Sequence, residues 1–443
     1  MSGDARDWLA SIGLADAGAK ALLLERAAGA LARDPAASRW LYVPGRVEVF
    51  GKHTDYAGGR TLICAASRGF CGAFAASAEP RVRVHDVCGG ETAEFPLDGA
   101  PADGLTGWKR YAGTVVRRVA RNFPGVVAGA DVAFASDLPQ AAGLSSSSAL
   151  MVTILLSLVE ASRLRAQPTW RAAIASELDL AAYAACVENG SSFGPLAGDS
   201  GVGTAGGSED HTAMLCGQAG RLSQCAFVPP RLERTVPFAD EVVFLVGVSG
   251  VVAEKTGAAR DAYNNASRRA RALLDLWQRD TGLEAASLAA ALASSPDAPR
   301  HLARLAEAAD AARAGGGDRL AARLQQFVLE SSTLVPAAAA AFERADWTTL
   351  GRLATESHRA ADEWLGNQVE ETNRLVRAAR EAGALAASAF GAGFGGSAWA
   401  LVGRDEATAV AERWRARYAA ACPHVAALGT FFPCQAGPPA AWR

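Results

Sequence analysis

The chain has 443 residues, half of them apolar and 20% charged, and its 44 Lys and Arg against 46 Asp and Glu leave a formal net charge of −2. That length predicts two or three domains with a sizeable core. The near-neutral balance argues against a nucleic-acid backbone or an anionic membrane surface as the main partner. The first thirty residues mix Asp4, Arg6, Asp7, Asp16, Lys20, Glu25 and Arg26 with apolar residues, so no secretory leader is expected. No apolar run is long enough to span a bilayer. The 8 cysteines form neither a CxxC nor a metal-spaced Cys/His cluster, which predicts reduced, mostly buried thiols in a cytoplasmic protein.

In chain order, Leu9–Leu31 reads as one amphipathic helix. Trp40–Phe50 and Thr61–Phe70 read as strands, with the polar, Gly-rich loop Gly51–Arg60 between them. Arg81–Val87 alternates as a strand with one wet face does, Trp108–Arg121 is helical, and Val132–Ser136 is a short strand. After Asp137 a serine-rich run opens a long apolar helix ending near Ala161. Asn189–Gly207 is too rich in Gly and Ser for anything but a long loop. Glu241–Val248 is the clearest buried strand and opens the second half. Tyr263–Arg380 is a helical layer, interrupted by Pro296, Pro299 and Gly315–Gly317, and Ser388–Val402 is a Gly-rich turn entering a strand. Irregular alternation of strands and helices predicts an α+β protein.

Four segments carry chemistry. In Pro139–Ala149 (PQAAGLSSSSA) a glycine and four serines stand at the mouth of an apolar helix, where free N–H groups and the helix dipole can hold a phosphate chain. It is not the common P-loop, whose lysine and spacing are absent. A serine-rich helix cap is the other reading of the same residues. Pro44–Gly59 packs Arg46, Lys52, His53, Asp55 and Tyr56 into a turn-rich stretch whose mixed donors and acceptors match sugar hydroxyls. Gly207–His211 (GSEDH) sets two carboxylates and a histidine after the long loop, and Gly391–Gly396 (GAGFGG) is a glycine turn that enters a strand, unlike a dinucleotide fingerprint.

In this order the four resemble the galactokinase branch of the GHMP kinases (galactokinase, homoserine kinase, mevalonate kinase, phosphomevalonate kinase), over about Tyr42 to Val402. PGRVEVFGKHTDYAGG is similar to the signature PGRVN-x-x-GEHTDY-x-x-G, GSEDH stands in the place of GIMDQ, and GAGFGGSAWALV resembles the motif GAGFGGC. CVEN at Cys186–Asn189, AYNNASRR at Ala262–Arg269 and ESH at Glu356–His358 are weaker echoes. The resemblance implies a two-domain GHMP kinase-like architecture, divided into 1–237 and 238–443, with the active site in the interdomain cleft. It implies an ATP- and Mg²⁺-dependent sugar kinase acting on the anomeric hydroxyl of galactose or a close relative. Gly143, Leu144, Ser145, Ser146, Ser147 and Ser148 would cradle the ATP phosphates together with Gly393 and Gly395, and Ser147 and Glu188 would partner Mg²⁺. Asp210 would face the attacking hydroxyl with Arg46 beside it, as base or as orienter. Lys52, His53, Asp55, Tyr56, Gly207 and Tyr263 would line the sugar site. A sensor of the same fold that binds sugar and ATP without turnover is the alternative from another class. Oligomeric state is left open.

The departures from the family pattern matter most for substrate. Lys52 replaces the usual Glu, turning an acceptor into a cation, so galacturonate becomes an alternative acceptor unless Lys52 faces solvent or neutralises Glu48 or Glu209. Ser208 and Glu209 replace apolar residues, and an inward Glu209 would raise the carboxylate pKa beside it. The stretch from Glu188 to Asp210 is longer than usual and reads as either a lid or a loose excursion.

Overall fold

The computed structural model describes residues 2–31, 38–100, 104–139, 142–251, 258–312, 318–391 and 393–443. Gln140 and Ala141 of the serine-rich segment, Ala392 of GAGFGG and the Gly315–Gly317 interruption lie outside these residues.

Twelve strands are found among the described residues. They are β1 (Arg39–Phe50), β2 (Arg60–Ser77), β3 (Arg81–Asp86), β4 (Glu91–Pro96), β5 (Gly129–Ser136), β6 (Arg221–Ala226), β7 (Arg231–Pro237), β8 (Val242–Val248), β9 (Ala386–Ala389), β10 (Ser397–Gly403), β11 (Phe431–Cys434) and β12 (Ala441–Trp442). The first sheet runs β12-β1-β2-β5-β3-β4, with β6 and β7 added beside β2. The long β2 serves two neighbours: residues 60–63 pair with β6 and residues 70–77 with β5. Only β3 and β5 run parallel in this sheet. The second sheet, β11-β8-β10-β9, is antiparallel throughout. This is the α+β class that the sequence predicts, with helices over both sheets.

The helix Ser146–Ala161 is apolar on nearly every side and is accordingly buried, from Ser148 through Val159. It packs on β1, β2 and β5, which fixes the serines at its start against the middle of β1. One hydrophobic cluster runs from Leu41 and Val47 through Leu150 and Met214 to Phe244, Trp399 and Phe432, so it joins residues of both sheets. A second lies between β8, β9 and β10 and two helices, Glu370–Glu381 and Ala407–Ala421, with Leu375, Trp414 and Tyr418 at its centre.

The single helix expected over Leu9–Leu31 is two helices, Ser2–Ser11 and Ala17–Ala30. Gly13 adopts φ +98° between them, a conformation that only glycine takes readily. The serine-rich helix starts at Ser146, and Asp210 sits in the first turn of a helix, Glu209–Cys216. No described helix is long and apolar enough to cross a membrane.

Candidate active site

The site is built around β1. Two register shifts interrupt its pairing with β2, between Pro44 and Arg46 and between Glu48 and Phe50. At the first, Gly45 lets the loop before the serine-rich helix come close: a Cβ there would lie 2.7 Å from the Leu144 carbonyl oxygen and 2.7 Å from a Leu138 methyl. The Arg46 N–H donates to that same Leu144 carbonyl at 3.1 Å. Arg46 and Glu48, two residues apart, project to one face of the strand and into the pocket.

The Arg46 guanidinium bridges the turn before the serine-rich helix and the helix that carries Asp210. Its Nη1 donates to the Gly143 carbonyl at 2.6 Å and its Nε to Asp210 Oδ1 at 2.6 Å. Glu209 Oε1 lies 3.2 Å from the same Nε, and Glu48 Oε2 lies 3.6 Å from Nη2. Burial works against the charge on Arg46, but Asp210, Glu209 and Glu48 outweigh it and raise its pKa.

On the phosphate side, Gly143 adopts φ +71° and Ser145 φ +56°, a tight turn that delivers the chain into the helix. The serine beside Glu188 is Ser148, not Ser147: its hydroxyl donates to Glu188 Oε2 at 2.8 Å and lies 3.5 Å from Asp210 Oδ2. Helical geometry explains the difference, since successive residues turn by about 100° and a start at Ser146 sends Ser148 inward while Ser147 stays half-buried. His211 Nε2 approaches Glu188 at 3.3 Å.

On the sugar side, His53 Nδ1 and the Tyr56 hydroxyl share a 2.9 Å hydrogen bond, and the His53 ring packs on Tyr263 with centroids 5.0 Å apart. Asp55 Oδ2 accepts the Glu209 N–H at 3.1 Å. Burial pushes the Asp55 pKa up to about 6 against the lowering effect of backbone hydrogen bonds from Glu209 and Tyr56. Burial also moves Tyr56 up to about 12 and raises Tyr263 well above the ordinary phenol range. Gly207 sits where any Cβ would collide with the Asp55 carboxylate, which accounts for a glycine there. Arg46, His53, Asp55, Tyr56, Glu188, Gly207, Asp210 and Tyr263 thus line one pocket, with Glu48, Glu209, His211 and Gly391 also in its wall.

Lys52 is not part of that wall, and the sequence expectation is corrected here. Its ammonium is buried and donates to Ser357 Oγ at 2.6 Å, with Glu330 Oε1 at 4.0 Å. Glu330 Oε1 also accepts the Gly51 N–H at 2.9 Å and the Ser357 hydroxyl at 2.9 Å. The cation is therefore taken up by the helical layer, and the nearby His358 is pushed down to about 4, first by burial and then by the Lys52 charge. A galacturonate carboxylate has no Lys52 to meet.

Gly393 (φ +69°) and Gly395 (φ +120°) have their Cβ positions filled by Asn367 and Val251 respectively. Asn367 ties the turn together, donating to the Gly391 carbonyl at 2.6 Å and accepting the Phe394 N–H at 2.6 Å. Of this motif it is Gly391 that reaches the pocket, directly against the Glu48 carboxylate.

The long loop after Glu188 is an anchored segment and not a loose excursion. Arg117 Nε donates to Asp199 Oδ2 at 2.9 Å and Arg118 to the Ser191 carbonyl at 2.7 Å. Asn264 clamps its far end through Gly203 and Ala205, and Asn189 holds the Gly206 carbonyl at 2.9 Å. Of the two orientations the sequence leaves open, Glu209 takes the inward one: the side chain is buried, and burial followed by the Glu48 charge raises its pKa well above the usual carboxylate range. Sequence reading gave Glu48 no role in the site. Its signal was available in PGRVE, where the family motif carries Asn.

Comparison with known proteins finds likenesses along most of the chain. Three family profiles match along the chain: the galactokinase galactose-binding signature over 33–76, the GHMP kinases N terminal domain over 110–195 and the GHMP kinases C terminal region over 338–420. These profiles, together with the relatives below, support a place in the galactokinase branch of the GHMP kinases. Within that branch, a galactokinase of Mycobacterium bovis is 29% identical over 378 residues, 84% of this chain and 91% of that protein. A galactokinase of Glaesserella parasuis is 35% identical over 119 residues, which spans 27% of this chain and only 31% of that protein. The crystal structure of Lactococcus lactis galactokinase with galactose superposes with a TM-score of 0.74 at 22% identity, covering 91% of this chain and 95% of that one. A mevalonate kinase superposes with a TM-score of 0.54 at 11% identity, over 90% and 99% of the respective chains. Both are likenesses of fold, and the GHMP kinase fold is the one this galactokinase-branch chain adopts.

Proposed function

We propose that this chain is an ATP-dependent galactokinase that transfers the γ-phosphoryl group to the anomeric hydroxyl of galactose or a closely related sugar. The observation that carries the reading is the Arg46 guanidinium, which spans the phosphate-loop carbonyl of Gly143 and the Asp210 carboxylate. One residue thereby registers donor and acceptor, and in-line phosphoryl transfer needs positioning and charge neutralisation above all.

Asp210, hydrogen-bonded to Arg46, accepts the hydroxyl proton or orients the hydroxyl for attack. Asp55, His53, Tyr56 and Tyr263 meet the remaining hydroxyls, with Gly207 leaving room for the Asp55 carboxylate. Gly143 to Ser148 receive the ATP phosphates on the unpaired N–H groups and hydroxyls of the helix start. Gly393 and Gly395 shape the facing turn. The oxygen donors Ser148 and Glu188, with Ser147 on the next position of the turn, suit a hard cation that keeps phosphate ligands. Bound there, Mg²⁺ would neutralise phosphate charge. The division into 1–237 and 238–443 belongs to the same reading: it falls between β7 and β8, although β12 returns from the second part to pair with β1 in the first sheet. So does a cytoplasmic location, where ATP is available.

The test is ADP release with ATP, Mg²⁺ and a panel of hexoses. Turnover with galactose supports the reading, and binding of galactose without any ADP release overturns it.

A further inference from the structure

The acceptor pocket gathers more carboxyl groups than a neutral sugar requires. Among the described residues lining it, the carboxylates are Glu48, Asp55, Glu188, Glu209 and Asp210, against one guanidinium, Arg46, and the imidazoles His53 and His211. Three of the five carboxylates are accounted for. Asp210 takes the Arg46 Nε–H, Asp55 takes the Glu209 backbone N–H, and Glu188 takes the Ser148 hydroxyl. Glu48 and Glu209 are left over. Only 4% of Glu48 and 5% of Glu209 is exposed, and neither Glu48 Oε1 nor Glu209 Oε1 accepts a hydrogen bond. Glu209 Oε1 lies near Arg46 Nε, but that nitrogen's single proton is already directed to Asp210. Glu48 Oε2 reaches Arg46 only at 3.6 Å, beyond hydrogen-bond distance.

Burying carboxylate oxygens without partners is costly, and it persists where a ligand supplies the partner. A hydroxyl would bring one donor and no charge. An ammonium group brings three donors and the missing positive charge. Both unmatched carboxylates flank Arg46, which also meets the Gly143 carbonyl and the carboxylate that faces the reacting hydroxyl, so the complementary nitrogen belongs on the carbon next to the one phosphorylated. The two positions are also where this chain departs from its family's usual motifs, which carry Asn and Met there. We propose that the pocket selects a cationic amino sugar, a 2-amino-2-deoxyhexose of galactose-like configuration, with its ammonium held between Glu48 and Glu209.

This deepens the kinase reading and rests on it for the placement of the reacting hydroxyl. A secondary consequence concerns protons. Burial raises the Glu209 pKa in the sugar-free pocket, and an adjacent ammonium favours the ionised form again, so binding the amine expels a proton while binding galactose does not.

The experiment is calorimetric titration of the full chain, with a non-hydrolysable ATP analogue present, by galactosamine, galactose and N-acetylgalactosamine near pH 7. The expected result is at least tenfold tighter binding of galactosamine than of galactose, with the gain lost in the uncharged N-acetyl sugar. Equal or tighter binding of galactose overturns the proposal, and so does undiminished binding of N-acetylgalactosamine. Glu48→Gln and Glu209→Gln should each cut the galactosamine-to-galactose affinity ratio about tenfold, or about 1.4 kcal/mol. An unchanged ratio in both folded variants overturns it as well, and if either variant fails to fold, the three-sugar comparison on the unmodified protein decides. ADP release is read separately with the same sugars. Its absence throughout strikes the kinase reading, while the binding order still decides the amino-sugar proposal.

Discussion

Arg46 and Asp210, 164 residues apart in the chain, meet through a 2.6 Å hydrogen bond between Nε and Oδ1. The pair gives a carboxylate a fixed direction next to the phosphate loop. Asp210→Asn keeps the shape and removes the basic oxygen. We expect ADP release to fall by about 10² to 10⁴ while ATP affinity changes less than threefold. A single-turnover assay with a parallel nucleotide titration checks both, and near-normal rates would mean that another group handles the hydroxyl proton.

Lys52 provides the contrasting case of a charge that faces away from the pocket. Lys52→Met keeps most of the volume but leaves the Glu330 carboxylate, buried with Ser357 and the Gly51 N–H, without its cation. The expected loss of stability is roughly 3 kcal/mol. The preference for galactose over galacturonate should stay as it is. Urea unfolding and a two-sugar rate comparison separate these outcomes, and a shift toward or away from the uronate would place Lys52 in the site after all.

Asp55 links sugar binding to pH. Its pKa of about 6 lies above the ordinary value of about 3.9, so the folded protein holds this proton more tightly than the unfolded chain does. The cost of ionising Asp55 is absent below about pH 4, grows between pH 4 and 6, and is fully present above that. Asp55→Asn should therefore raise the unfolding free energy at pH 7.5, by at most about 3 kcal/mol, and change it little at pH 4. The same variant should bind galactose more weakly at pH 7.5. A variant less stable at pH 7.5 would contradict the direction of the shift.

Gly45→Ala tests the contact between β1 and the phosphate loop. The new methyl would meet the Leu144 carbonyl at 2.7 Å, and a backbone atom in that position cannot step aside as a side-chain end can. A loss of about 1–3 kcal/mol is expected, together with a KM for ATP raised more than the KM for the sugar. Denaturant midpoints and initial rates at varied ATP check this, and an unchanged ATP KM would separate the loop from the strand.

Glu188→Gln should increase the Mg²⁺ concentration for half-maximal rate by tenfold or more, since the hard oxygen donor next to Ser148 loses its charge. A Mg²⁺ titration of ADP release reads this directly. An unchanged titration would remove Glu188 from the cation site.

Much of this site is legible in the sequence because its chemistry is local. The turn after β1 brings His53, Asp55 and Tyr56 into the pocket, and the glycine before the four serines marks the phosphate turn by its need for positive φ. What the sequence hides is decided by distant partners. Lys52 turns away because Ser357 and Glu330 receive it, and they lie 305 and 278 residues further along. Glu209 points inward because its helix begins at that residue and its N–H is claimed by Asp55. The break at Gly13 is hidden for a smaller reason: apolar periodicity continues across it, and only the backbone angle reveals the turn.

The strand that carries Arg46 takes one of its two neighbours from β12, with Leu41 opposite Trp442 and Tyr42 opposite Ala441. The Trp40 N–H and carbonyl also exchange hydrogen bonds with the Arg443 backbone. Assembly of this strand therefore joins segments about 400 residues apart in sequence, a high-contact-order arrangement that folds slowly. Until residues 441–443 are in place the edge of β1 stays open, a template for mispairing that β12 closes.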